Sequence, residues 1–179
     1  LAPNVDDAKL KELIIKTKIP VAEISSGRAV GVSSSAAHQG VIGLVSVGNL
    51  MRTYKEFIGG LSAGPGTSLV LLDELQDPHN VGAVIRSAAA FGISGVLIPE
   101  HNQAPITGAV VKVSAGMAFR IPLVSIGNVN NVIRDLKERG FWVYGLEGGV
   151  KRAINEEAFD ASTLFILGNE SEGIRKKTR

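Results

Sequence analysis

From residue 69 onward, short apolar runs of strand length alternate with segments of helix length, and this alternation limits the fold more than any other feature of the chain. The spacing predicts strands over 69–73, 95–99, 121–126, 142–146 and 164–167. Between them it predicts helices over 81–91, 107–115 and 129–139. The strand segments are apolar almost throughout rather than at every second position, as in strands buried on both faces. Helices between successive strands supply the long crossovers that parallel pairing needs. The pattern therefore predicts an α/β fold, a parallel sheet covered on both sides. Aromatic residues make up only 5% of the chain and glycines number 21, which suits an α/β protein with many short loops better than a β-sandwich.

Upstream of residue 69 the pattern is less regular. Leu10, Leu13 and Ile14 follow helical spacing within an expected amphipathic helix over 6–18, which Pro20 ends. A short strand is expected over 21–24, a Ser/Gly-rich loop over 25–37 and another strand over 41–47, after His38-Gln39-Gly40. This section, 1–48, reads as the trailing part of a small α/β module. Gly59, Gly60, Gly64, Pro65 and Gly66 mark 49–66 as a linker with one short helix over 51–58, leaving 67–179 as the main domain.

Composition removes several function classes. The chain has no cysteine, so disulfides and thiolate metal sites are excluded, in keeping with a reducing compartment. His38, His79 and His101 lie far apart, so no metal is expected. No apolar run approaches the roughly 18 residues needed to span a membrane, and no membrane association is expected. The net charge of +2 permits a nucleic-acid partner without arguing for one.

The most informative segment is Asp77-Pro78-His79-Asn80-Val81-Gly82-Ala83-Val84-Ile85-Arg86. It joins the first strand of the main domain to its helix, at the edge where open parallel sheets place ligands. Asn80 is expected to cap that helix. Val81, Val84, Ile85, Ala88 and Ala89 are expected to face the sheet. Arg86 lies off that stripe, one turn beyond the bare backbone of Gly82, along which its guanidinium could reach the active edge. The same pattern also describes a capped helix with a solvent-facing arginine.

A second segment, Thr163 to Gly173, runs from a buried strand into the loop Gly168-Asn169-Glu170-Ser171-Glu172-Gly173. Its glycines let backbone amides approach a ligand closely, and its carboxylates could orient a cation or a hydroxyl. The alternative is a tight turn feeding a helix capped by Ser171. It is not a phosphate-binding P-loop, because Ile174-Arg175 stands where Lys-Ser/Thr is required. The missing Gly-x-Gly-x-x-Gly after the first strand weakens a nucleotide-dependent oxidoreductase. A third loop, Glu147-Gly148-Gly149, is an ordinary turn unless its strand adjoins the one ending at Gly168, in which case both loops border one pocket. The basic end, Arg175, Lys176, Lys177 and Arg179, reads as a solvated face that could hold RNA phosphates.

Together and in this order, these segments resemble the first two motifs of the SpoU family, the TrmH- and RlmB-type branch of the SPOUT RNA methyltransferases. Asn80-Val81-Gly82 with Arg86 resembles motif one, and Gly168-Asn169-Glu170 with Gly173 resembles motif two. Ala104-Pro105-Ile106-Thr107 and Ser114-Ala115-Gly116 also resemble the family, across roughly residues 69–179. His38-Gln39-Gly40-Val41 is similar to the end of the small L30e-like RNA-binding domain of RlmB-type members.

The resemblance implies a SPOUT α/β-knot sheet, a homodimer, and S-adenosylmethionine bound at the knot for methylation of a ribose 2′-hydroxyl in RNA. It favours 23S-type rRNA, and guanosine within it, over tRNA. On matching positions Arg86 would be catalytic, with Asn80 and Glu170 shaping the site around it. Leu146, Glu147, Gly148, Leu167, Gly168 and Asn169 would hold the cofactor. An arginine is a poor base, so Arg86 is assigned to gripping a phosphate and stabilising a developing alkoxide. The family's third motif, an Ile-Pro stretch and Ser-Leu-Asn, is expected beyond Arg179. Without it the knot is expected to be incomplete and cofactor binding poor. A cytoplasmic location is expected, with mitochondrion or plastid left open. The rival reading is a non-catalytic RNA-binding protein on the same fold.

Overall fold

The computed structural model describes residues 1, 5–23, 40–149 and 153–178, in two compact units, 1–45 and 46–179. The expected loop over 25–37, His38, Gln39 and Arg179 lie outside the described residues. In the first unit the expected helix is α1, Ala8–Thr17. The Asp7 side chain caps it, accepting a hydrogen bond from the Leu10 amide at 3.0 Å. None of its residues is buried.

The strand expected over 41–47 is not formed: residues 41–46 carry no regular structure, and Val47–Leu50 is a helical turn, α2. A β-branched run becomes a strand only beside a ladder partner, and the next residues take that place instead. Met51–Thr53 is β1, in parallel register with residues 123–125. Tyr54–Gly59 is α3, shorter than the helix expected over 51–58. It starts with a reciprocal capping box between Thr53 and Glu56. The expected linker thus contributes an edge strand and two core residues, Phe57 and Ile58.

The remainder of the second unit follows the predicted alternation. Ser68–Asp73 is β2, Pro78–Ala90 α4, Gly95–Pro99 β3 and Gly108–Val113 α5. Leu123–Ile126 is β4, Val129–Glu138 α6, Trp142–Leu146 β5 and Thr163–Gly168 β6. β4 begins two residues later than expected, just past Pro122, which has no amide to donate to a ladder. α5 stops at Ser114, whose hydroxyl donates to the Val111 carbonyl at 2.8 Å, before Ala115 and Gly116 turn through positive φ.

The six strands form one wholly parallel sheet in the order β1-β4-β3-β2-β6-β5. Alternate residues feed two cores. Leu69, Leu71, Leu97, Leu164 and Ile166 pack with α3 and α6 on one face. Val70, Leu72, Val96 and Ile98 pack with α4 and α5 on the other. Residues of β2 and β3 are buried on both faces, so both had to be apolar throughout. The chain runs from β2 outward through β3 to β4, but β6 inserts on the opposite side of β2. The strand order therefore reverses at β2 and β6, and in open α/β sheets ligands bind beyond the carboxyl ends of strands at such a point.

Candidate active site at the carboxyl ends of β2, β5 and β6

Parallel register brings three chain segments to one edge. Asp73, the last residue of β2, is level with Gly168, the last of β6, and Leu146 is level with Leu167. The strand ending at Leu146 therefore does adjoin the one ending at Gly168, the condition under which their loops become neighbours.

The helix beyond β2 begins earlier than expected. Its cap is Asp77, whose carboxylate accepts from the His79 amide at 2.8 Å, and Pro78 occupies the first turn, where its missing N–H costs nothing. Asn80 is thus not the cap but lies inside the first turn. Its side chain is released for a longer contact: Asn80 Nδ2 donates to Glu170 Oε1 at 2.8 Å. That bond joins the two sequence segments across the switch point. It is also the main reason that the Glu170 carboxyl is held below the ordinary carboxylate range, aided by backbone hydrogen bonds at Glu170, Gln76 and Asp77 and opposed by partial burial.

The β6 loop is a closed turn. Asn169 and Gly173 exchange backbone hydrogen bonds at 3.0 and 2.9 Å. Asn169 Oδ1 accepts from the amides of Ser171 and Glu172 and from the Ser171 hydroxyl, while Nδ2 donates to the Glu74 carbonyl. Gly168 is required by this closure: a Cβ there would run into the backbone of Gly173 and Ile174. Its bare face meets the protein's own returning chain, not open space for a ligand. Residues 171–178 form turns and a bend rather than a helix capped by Ser171.

Arg86 is exposed and makes no hydrogen bond or ion pair among the described residues. The path expected along Gly82 is closed, because a Cβ at Gly82 would meet Val113 Cβ at 2.7 Å and the Val110 carbonyl at 3.0 Å. The glycine serves the close packing of α4 on α5. Six residues separate Arg86 from Asn80, about 9 Å along the axis and about 240° around it. The described chain therefore brings Asn80 to Glu170 but does not bring Arg86 to either. His79 and His101 are exposed.

The residues expected around the cofactor divide between two cavities on opposite faces of the sheet. Leu146 and Leu167 line an apolar trough of about 560 Å³ with Val84, Phe91, Ile154 and Phe165. Glu147 borders a smaller, more polar cavity of about 300 Å³ with Lys137, Gly145, Ile166, Ile174 and Thr178. Thr178 Oγ1 is buried without a hydrogen-bond partner among the described residues. The smaller cavity combines apolar walls with a few polar atoms, the lining expected of a small-molecule site. Gly148 lies in the exposed turn beside the smaller cavity. Among the described residues no cluster of three or more His, Asp or Glu side chains could hold a metal, and no helix is long and apolar enough to cross a membrane.

Sequence reasoning missed one heavily bonded group of this edge. Arg175, read as part of a solvated basic face, is instead clamped to buried Asp73. Its Nε donates to Oδ1 at 2.8 Å and its amide to Oδ2 at 3.1 Å, while Nη1 reaches Glu74 Oε1 at 2.9 Å. The Asp73 hydrogen bond is the largest cause of the raised pKa of this guanidinium. Arg175 is therefore not free to hold a phosphate. The only hint in the sequence was a carboxylate ending an otherwise apolar buried strand.

An open parallel sheet with polar loops gathered where its strand order reverses defines a ligand-binding α/β protein of the switch-point class. Within that class the chain belongs to the SpoU rRNA Methylase family, whose model matches residues 67–179. It is similar to the 23S rRNA (guanosine-2′-O-)-methyltransferase RlmB of Xanthomonas axonopodis pv. citri, with 37% identity over 96% of this chain and 69% of the relative. It is 31% identical to RlmB of Neisseria meningitidis serogroup B, over 97% of this chain and 70% of that protein. Among solved structures it resembles the SpoU methyltransferase AviRb from Streptomyces viridochromogenes in complex with AdoMet, at a TM-score of 0.60 and 26% identity. That match covers 66% of this chain and 46% of AviRb, so the chain spans less than half the length of that solved protein. The SPOUT-type parallel sheet expected from the resemblance is the one observed.

Proposed function

We propose that the protein transfers a methyl group from S-adenosylmethionine to a ribose 2′-hydroxyl of RNA, with a guanosine of 23S-type rRNA as substrate. The observation that carries this reading is the Asn80–Glu170 hydrogen bond, which joins the two family motifs at the switch point of a SpoU-family sheet. The substrate class rests on the names of the RlmB relatives.

Glu147, Gly148 and the backbone of Leu167, Gly168 and Asn169 would hold the cofactor, with Leu146 on the apolar side. The polar cavity beside Glu147 and the Thr178 hydroxyl, which has no partner among the described residues, fit such a ligand. When bound, S-adenosylmethionine supplies an electrophilic methyl group on a sulfonium. Asn80 fixes the orientation of Glu170 and keeps it ionised, and the pair shapes the rim. Arg86, with no partner among the described residues, is available to grip an RNA phosphate beside the reacting ribose and to stabilise alkoxide character on its oxygen. In-line positioning supplies much of the acceleration. Residues 1–48 act in RNA binding as part of an L30e-like domain, and the protein works as a homodimer in the cytoplasm.

The test is transfer of a radiolabelled methyl group to 23S rRNA by the intact protein, with the product mapped as 2′-O-methylation. Arg86→Ala is expected to abolish transfer and leave cofactor affinity unchanged. RNA binding with no transfer by the wild-type protein would favour the non-catalytic reading. Loss of cofactor binding in Arg86→Ala, with normal turnover per bound cofactor, would overturn the role given to that residue.

A further inference from the structure

We propose that Arg175 is the positioning residue of the β6 loop, a clamp that holds the cofactor-side turn 168–175 in its binding shape by locking it onto the end of β2. This inference rests on the cofactor site proposed above. The turn is fixed at both ends to Glu74, and at its far end to Asp73 as well. At its start, Asn169 Nδ2 donates to the Glu74 carbonyl at 2.9 Å. At its end, the Arg175 guanidinium and amide engage Asp73 and the guanidinium also engages Glu74. Asp73 is fully buried and Arg175 is its charged partner among the described residues, so this contact is more constraining than a surface ion pair.

A second observation points the same way. Glu74 sits at φ 66°, in the left-handed region that a residue of its size rarely adopts. Such a conformation persists where surrounding contacts over-determine it. Here its carboxylate accepts from Arg175 Nη1 and from Asn102 Nδ2, and its carbonyl accepts from Asn169. The unusual backbone turns that carbonyl toward the loop. Arg175 thus closes a ring, Asp73–Glu74–Asn169–Gly173–Arg175, that presents Glu170 to Asn80. Lysine could keep the charge but not the fork that contacts two carboxylates at once.

The test compares Arg175→Lys with the double variant Asp73→Asn/Arg175→Gln, which removes both charges and so leaves no unpaired carboxylate in the interior. Amide hydrogen exchange is read in the intact, cofactor-free protein at residues 169, 171, 172, 173 and 175. Exchange there is expected to rise about tenfold in both variants, with β2 and β3 unchanged. The KM for S-adenosylmethionine is expected to rise about tenfold, while kcat at saturating cofactor stays within about threefold, because bound cofactor re-forms the turn. Unchanged exchange in both variants overturns the clamp. Faster exchange with an unchanged cofactor KM overturns its positioning role, and a uniform rise with a lowered Tm makes it a fold-stabilising contact instead. If the wild-type protein transfers no methyl group, the proposed function fails while the exchange result still decides whether the clamp holds the turn.

Discussion

Gly168→Ala separates two explanations of the glycine that ends β6. If the missing side chain is there to admit a ligand, alanine leaves the turn intact and weakens only binding. The geometry gives the other answer, because the space a Cβ would take is filled by the backbone of Gly173 and Ile174. Backbone cannot rotate aside as a side-chain tip can, so the turn must open. Opening it breaks the two reciprocal bonds between Asn169 and Gly173, worth about 1–3 kcal/mol together at typical values. Gly168 has no positive φ, so alanine also restricts the unfolded chain and returns about 0.4–1 kcal/mol. The net expectation is a loss of about 0–2.6 kcal/mol, which for a chain of this length is a fall in Tm of up to about 10 °C. Urea unfolding measures the first quantity, and hydrogen exchange at residues 169 and 173 locates it. A variant whose amides at 169 and 173 are as protected as in wild type would refute the argument that the glycine exists for chain closure.

Two further outcomes follow from the same edge. Asn80→Ala removes the main contact that lowers the Glu170 carboxyl, so its pKa should rise toward the ordinary glutamate value, measurable by NMR titration. A depressed folded-state pKa adds stability above the unfolded value and loses it as pH falls through the folded one, so the difference between wild type and variant should vanish in acid. Gly82→Ala places a Cβ 2.7 Å from Val113 Cβ, an overpacking cost of about 1–3 kcal/mol, against a helix-propensity gain of about 1 kcal/mol. Denaturant titration should therefore find a loss of about 0–2 kcal/mol, and a stabilised variant would show that α5 yields to α4.

What could be read in the chain beforehand depended on whether the deciding interactions were local. β3 lies where its apolar run placed it, because burial on both faces leaves its mark on every residue of a strand, and β5 also lies where expected although it is an edge strand with no buried residue. β1 was missed because three residues make a strand only by virtue of a partner some seventy positions away. Asn80 was misplaced as a cap for a local reason, since Asp77-Pro78 is the stronger start signal and stood three residues earlier. Arg175 is the instructive case. Its neighbours in sequence are lysines, and nothing near it tells a clamp from a solvated tail. Its partner is Asp73, 102 residues away, and the two meet only because β6 inserts beside β2 instead of extending the sheet past β4. Each loop's contents can be read from its own residues; which loops meet is decided by strand order, and strand order is a property of the whole sheet. The same limit explains Arg86. Helical spacing correctly set it off the buried stripe, but whether Gly82 opened a path for it depended on α5, whose Val110 and Val113 fill that space from a separate element. Among the described residues Arg86 therefore keeps an unpaired charge on the surface, which costs little in water and, under the proposed function, would meet an RNA phosphate brought from outside.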